Sequence, residues 1–145
     1  MRLTAEQQAE SLIRGTGARL TRPRTRVLMF LLEQDKPMTH HDIHAQLMAE
    51  VGGEPFDTVT LYRVLEWLAV NGLVHRIAGA DQVWRFSAKV GDHDHEHAHF
   101  QCTNCDVVTC FTDIPLPRRV KMPAGFTSQE VDLLIKGTCP DCSGK

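Results

Sequence analysis

Two Cys-x-x-Cys pairs, Cys102 with Cys105 and Cys139 with Cys142, constrain this 145-residue chain more than any other feature. Each pair bends the backbone into a knuckle with two sulfurs on one side of a tight turn. Two knuckles complete the tetrahedral shell preferred by a structural Zn²⁺. The fold must therefore bring both knuckles to one point, across a segment (106–138) long enough to hold strands of its own. The competing reading, two redox dithiols, requires a thioredoxin-like βαβ context that the sequence lacks. No apolar run approaches the ~20 residues of a membrane helix. The opening MRLTAEQQAE has no apolar signal core. The expected address is cytoplasmic, where such cysteines serve as metal ligands rather than disulfides.

A second set of ligands precedes the first knuckle. His93, His95, His97 and His99 alternate along the chain, and Cys110 follows the knuckle. In an extended strand His95, His97 and His99 share one face. If Val107–Thr112 pairs with Ala98–Thr103, Cys110 lies on the neighbouring strand. Imidazole with thiolate suits Zn²⁺ better than Mg²⁺, Ca²⁺ or Mn²⁺. The bland alternative is a His-rich loop that binds metal weakly. The expectation is one permanent zinc and, beside it, one site that is filled or empty.

The rest of the chain reads as a globular body, with 42% hydrophobic and 23% charged residues. Thr4 and Gln7 make a capping box, and Gly15 and Gly17 end that helix. Thr21 caps a second helix with Pro23 in its first turn. Thr39 caps a third, with a stripe of Ile43, Leu47 and Val51; His40, His41 and His44 lie elsewhere on it and read as surface residues. Asp57 or Thr58 caps a fourth, whose stripe Leu61, Val64, Leu65 and Leu68 leaves Thr58, Thr60, Tyr62, Arg63 and Glu66 outside. Asn71-Gly72 ends it. Leu73–Ile77 and Gln82–Phe86 form a hairpin. Helices followed by a hairpin is the order of a winged helix-turn-helix. Val131, Leu133 and Ile135 alternate with polar neighbours, as a strand with one buried face does. The net charge of −2 hides an asymmetry: residues 1–26 hold six arginines against Glu6 and Glu10, the pattern of an end that meets phosphates.

Taken together, Gly17-Ala-Arg-Leu-Thr-Arg-Pro-Arg24, Thr58-Val-Thr-Leu-Tyr-Arg-Val-Leu65, His97-x-His99-x-x-Cys102-x-x-Cys105 and Gly137-Thr-Cys-Pro-Asp-Cys142 resemble the ferric-uptake-regulator family of bacterial metal-dependent repressors. The resemblance covers nearly the whole chain. It implies an α+β protein: a winged-helix DNA-binding domain over 1–88, a hinge at 89–91, and a small α/β dimerisation domain with the four-cysteine zinc site over 92–145. It also implies a homodimer on palindromic operator DNA, with Arg19 contacting the minor groove or backbone. The chain departs from the iron-sensing pattern at Pro37, Arg85, Val131 and Cys110, so the carboxylate ligands of a hard ferrous ion are depleted. His75 matches a ligand position of the zinc-uptake-regulator branch.

The function expected is a zinc-responsive transcriptional repressor, with no membrane and no small-molecule substrate. Cys102, Cys105, Cys139 and Cys142 hold the structural zinc; His75, His97, His99 and Cys110, with His95 as a substitute, hold the regulatory one. Thr58, Thr60, Tyr62 and Arg63 face DNA. The alternatives are an iron, manganese, nickel or peroxide sensor of the same family, or a zinc-buffering or chaperone protein. An enzyme is not expected, because no His-Glu-x-x-His, Gly-x-Ser-x-Gly or phosphate-cradling glycine loop is present.

Overall fold

Four helix caps set the frame of the N-terminal unit in the computed structural model, which describes residues 3–88, 97–116, 120–129 and 131–144. Thr4 opens α1 (Ala5–Gly15) with both bonds of a capping box to Gln7. Thr21 accepts from Arg24 at the head of α2 (Arg22–Leu32). Thr39 accepts from Asp42 to start α3 (His40–Met48), and Asp57 accepts from Val59 to start α4 (Thr58–Val70). Each cap satisfies a backbone N–H that the helix itself cannot, worth about 1 kcal/mol. Gly72, at φ +75°, takes the left-handed turn that releases the chain from α4.

Contacts divide the chain into two units, Met1–Asp92 and His93–Lys145. In the first, Ala9 and Ile13 of α1, Val27, Leu28 and Leu31 of α2, Ile43 and Leu47 of α3, and Leu61, Leu65 and Leu68 of α4 share one buried cluster. Burying each large aliphatic side chain contributes roughly 1.5–3 kcal/mol. A three-stranded sheet, ordered β1 (Met38–Thr39), β3 (Trp84–Ala88), β2 (Val74–Ala78), completes it. The β2–β3 hairpin is the wing of the expected winged helix-turn-helix. At its tip Arg85, only 5% exposed, grips Asp81 through two bonds of 2.9 and 3.0 Å.

The second unit is a sheet ordered β5 (Val108–Pro115), β4 (His97–Cys102), β6 (Leu134–Gly137), followed by the one-turn α5 (Pro140–Ser143). β4 and β5 run antiparallel, with His99 opposite Cys110; β4 and β6 run parallel, with Cys102 opposite Gly137. Phe100 and Phe111 stack at 5.3 Å across the first pair. A Cβ on Gly137 would sit 3.1 Å from the Phe100 ring, so glycine lets β6 close against that stack.

Two sequence expectations fail locally. Val51 is fully exposed, because α3 stops at Met48 and its stripe ends with Leu47. The closing strand begins at Leu134 rather than Val131, and Leu133 is 38% exposed, so the alternation over 131–136 marks no single buried face. The strand is short and lies at a sheet edge, where neighbours fix side-chain burial more than local pattern does. The hinge expected at 89–91 lies outside the described residues. Among those described, no helix is long and apolar enough to cross a membrane.

The Asp81 carboxyl is held at about 2, first by its hydrogen bond from Arg85. A lowered carboxylate stabilises the fold above its unfolded value near ~3.9, and that contribution fades as pH falls toward 2. Asp81→Asn is therefore expected to cost on the order of 1–2 kcal/mol at pH 7. Urea melts of both proteins at stepped pH are expected to show that difference shrinking between pH 4 and pH 2.

Candidate metal centres and nucleic-acid interface

Parallel pairing of β4 with β6 delivers the two knuckles to one place. Cys102 ends β4 and lies opposite Gly137, two residues before Cys139. The Thr103 N–H donates to the Gly137 carbonyl at 2.7 Å and locks the two strand ends together. The sulfurs of Cys102, Cys105, Cys139 and Cys142 then gather within 4.8 Å of one another, and none forms a disulfide. A sulfur tetrahedron at Zn–S of about 2.3 Å has edges of about 3.8 Å. The Cys105 and Cys139 sulfurs are 3.8 Å apart.

The electrostatics fit a cation at the centre. Hydrogen bonding from the Cys105 and then the Cys139 backbone draws the Cys102 thiol down to about 6. The Asn104 and Cys139 N–H groups each lie 3.4 Å from its sulfur. Cys142 behaves oppositely. The Asn104 side chain lowers it, but Cys139, burial and the other two sulfurs outweigh that and push it up to about 12. One thiolate forms readily and further negative charge is resisted, the imbalance that a divalent ion removes. The Asn104 Nδ2 donates to Cys142 Sγ at 3.1 Å, reaching from one knuckle to the other. Sequence reading passed over Asn104; its only signal was a polar side chain inside the knuckle.

Of the residues expected at a second metal site, His99 and Cys110 are brought together. They are direct cross-strand partners, their ligand atoms lie within 4.8 Å, and His99 is 9% exposed. Cys110 is half-buried, and burial raises its thiol. His75 is a buried residue of β2. His97 is described only as the first residue of β4, and a bulge separates it from Ala98. His93 and His95 lie outside the described residues.

The helix expected to face DNA is α4. Leu61, Val64, Leu65 and Leu68 turn inward, and Thr58, Tyr62, Arg63 and Glu66 are exposed. Thr60 is half-buried and its hydroxyl donates to the Asp57 carboxylate at 3.1 Å, so it belongs to the cap as well as to the outer face. Arg19 is exposed. The Arg24 guanidinium lies 3.8 Å over the Trp67 ring and donates to the Arg19 carbonyl, fixing the backbone that carries Arg19. His40 and His44, expected on the surface, are half-buried, each with Nε2 against a backbone carbonyl.

One chain thus carries a winged helix-turn-helix unit and a unit with a paired-knuckle cluster, and comparison with known proteins identifies the family. The family model of the ferric uptake regulator family matches residues 15–135. This chain belongs to that family. It is similar to the ferric uptake regulation protein of Legionella pneumophila, at 32% identity over 90% of this chain and 95% of that one. It is also similar to the transcriptional regulator FurA of Mycobacterium tuberculosis, at 31% identity over 90% and 87%. Among solved structures, a zinc uptake regulator complexed with zinc and DNA superposes with TM-score 0.68 at 21% identity, over 99% of this chain and 97% of that one. The Vibrio cholerae ferric uptake regulator superposes with TM-score 0.65 at 20% identity, over 90% and 98%. The α+β architecture, a winged-helix DNA-binding domain followed by a dimerisation domain, is thus the family's. The chain is a metal-responsive transcriptional regulator and not an enzyme. Regulators of this family bind operator DNA and function as dimers.

The four-sulfur geometry predicts that Cys142→Ser loses one tightly held divalent ion per chain and the folded sheet of the second unit. Removing one of four thiolates forfeits much of a binding free energy that reaches about 10–16 kcal/mol for structural zinc peptides. Elemental analysis together with the dimer's sedimentation checks this; a variant that keeps both ion and dimer refutes it.

Proposed function

We propose that this chain is a zinc-responsive repressor that acts in the cytoplasm as a homodimer on palindromic operators. Cys102, Cys105, Cys139 and Cys142 hold a structural zinc. His99 and Cys110 anchor the sensed zinc. His75, His95 and His97 complete it on the strength of the family resemblance and the histidine pattern. The domain limits that go with this reading are 1–88, 89–91 and 92–145.

The observation that carries the zinc assignment is the cross-strand pairing of His99 with Cys110. An imidazole and a thiolate form a donor pair that suits Zn²⁺; the oxygen-rich shell of a harder ion is not what this strand pair offers. When bound, the ion neutralises the thiolate and ties β4 to β5 through side chains as well as backbone. The curated relatives named for ferric uptake favour iron as a second reading. Buffered Zn²⁺, Fe²⁺ and Mn²⁺ titrations of operator binding separate the two. Tight operator binding driven by Fe²⁺ at concentrations where Zn²⁺ does nothing would overturn the zinc assignment. Metal uptake with no sequence-specific DNA binding would favour a buffering protein instead.

Operator reading is assigned to α4, with Thr58, Thr60, Tyr62 and Arg63 toward the major groove and Arg19 toward the backbone or minor groove. The support is the split of α4 into a buried stripe, Leu61, Val64, Leu65 and Leu68, and an outer face that exposes Thr58, Tyr62 and Arg63. An arginine that reads guanine bidentately supplies about 1–3 kcal/mol of discrimination; one that meets phosphate weakens all sequences alike.

Two outcomes are expected. Tyr62→Ala and Arg63→Ala lose operator binding, by roughly tenfold or more, while keeping the metals and the dimer. Cys110→Ser and His99→Ala keep one zinc per chain and the dimer but lose zinc-dependent operator binding. Zinc stoichiometry on purified dimer, measured beside operator affinity at fixed free zinc, checks both.

A further inference from the structure

The segment that leads into α4 has no helix or strand of its own, yet its carbonyls are not left to solvent. Over residues 54–58 every second carbonyl is met by a side chain from another helix. The Arg26 guanidinium of α2 donates to the Glu54 carbonyl at 2.6 Å. His44 Nε2 lies 2.7 Å from the Phe56 carbonyl, and His40 Nε2 lies 3.0 Å from the Thr58 carbonyl. A carbonyl oxygen only accepts, so both Nε2 atoms carry the proton. The two histidines stand one turn apart on α3 and reach the same stretch of backbone. The Glu54 and Phe56 carbonyls belong to the segment itself, and the Thr58 carbonyl to the first residue of α4.

The rest of this stretch is fastened as well. Arg26 also donates to the Leu47 carbonyl and pairs with Glu50, so it ties α2 to the end of α3. A Cβ at Gly53 would come within 2.8 Å of the same guanidinium, so glycine leaves room for it. The Phe56 N–H lies 3.3 Å from the Met48 sulfur, and the Phe56 side chain is buried. His40 does one thing more. Its ring meets the exposed Tyr62 ring edge-on at 6.3 Å, and the carbonyl that it holds sits in the first turn of α4, four residues before Tyr62.

We infer that His40 and His44, with Arg26 behind them, are positioning residues for operator recognition. They fix where α4 begins and hold the Tyr62 ring in the pose from which it meets DNA. The inference rests on the reading of α4 as the operator-contacting helix. The histidines touch no DNA themselves. Their bonds do not decide whether the domain folds, because Phe56 and Arg26 still anchor the segment without them. They decide how sharply the start of α4 is placed, and contacts to base edges are sensitive to that placement whereas contacts to phosphate tolerate more.

The test uses the full-length, zinc-loaded dimer and an operator selected by the wild-type protein from randomised duplexes. The readout is the ratio of affinities for that operator and for a scrambled duplex of equal length, at fixed salt, beside thermal melting. His44→Ala and His40→Ala are each expected to lower the ratio roughly five- to tenfold, the scale of one hydrogen bond. Affinity for the scrambled duplex and the cooperative melt stay unchanged. His44→Gln, whose amide can donate to the same carbonyl, is expected to restore most of it; His40→Gln, which regains the carbonyl bond but not the ring contact with Tyr62, is expected to restore only part. Alanine variants that keep the full ratio while Tyr62→Ala loses it overturn the inference and leave the role of α4 standing. A His44→Gln variant as poor as His44→Ala would mean that the carbonyl bond is not what positions the segment, which also overturns it. If Tyr62→Ala and Arg63→Ala both keep the ratio, α4 is not the reading helix and the inference falls with that reading.

Discussion

Four sulfurs within 4.8 Å are the constraint on which the second unit depends. A cluster of thiols at that spacing is not a stable object in water. Backbone hydrogen bonds draw the Cys102 thiol down, while the neighbouring sulfurs and burial hold that of Cys142 up. A divalent cation removes the conflict, and its binding free energy then becomes folding free energy. The sheet depends on the same point. β6 is four residues long and lies at the edge of β4, too short to be stable alone. It is held because its next residues carry a knuckle that must meet the knuckle at the end of β4. The register of Cys102 opposite Gly137 expresses that requirement in the backbone.

The same sheet then does a second job without new parts. Antiparallel pairing of β4 with β5 sets His99 against Cys110, so one strand ends in a cysteine knuckle and carries an imidazole opposite a thiol three residues earlier. In a β-strand, residues 99 and 102 point to opposite faces. The four-sulfur cluster and the His99–Cys110 pair are therefore kept apart by the sheet itself. The four-sulfur cluster fixes the end of β4, and β4 presents the second donor pair already aligned.

Much of this architecture is legible in the amino-acid sequence, and for definite reasons. Helix starts are readable because caps are local chemistry: Thr4, Thr21, Thr39 and Asp57 satisfy N–H groups two or three residues away. The stripe of α4 is readable because four positions at helical spacing leave one arrangement. The four cysteines are readable because tetrahedral thiolate chemistry leaves few alternatives. What escapes is set by tertiary context. Val51 continues a spacing but not a helix. Leu133 continues an alternation but not a strand. Asn104 escapes because its partner, Cys142, is 38 residues away in the chain.

The histidines show most plainly where sequence reasoning stops. His40 and His44 stand four apart on a helix, a spacing that puts two imidazoles on one face, as helical metal ligands require. His99 stands in a strand among alternating histidines. Sequence reading places His40 and His44 on the surface and His99 at a metal site; spacing alone gives no reason for that choice. The difference lies in what faces each ring. A carbonyl oxygen opposite Nε2 demands a proton on that nitrogen, and a protonated nitrogen has no lone pair for a metal. His40 and His44 each face such a carbonyl, so the ring nitrogen turned into the fold is occupied with holding backbone. His99 faces a thiol, which offers a metal a second donor. One residue type thus meets two surroundings in this chain, a backbone carbonyl or a thiol, and the strand or segment that the fold lays beside it decides which.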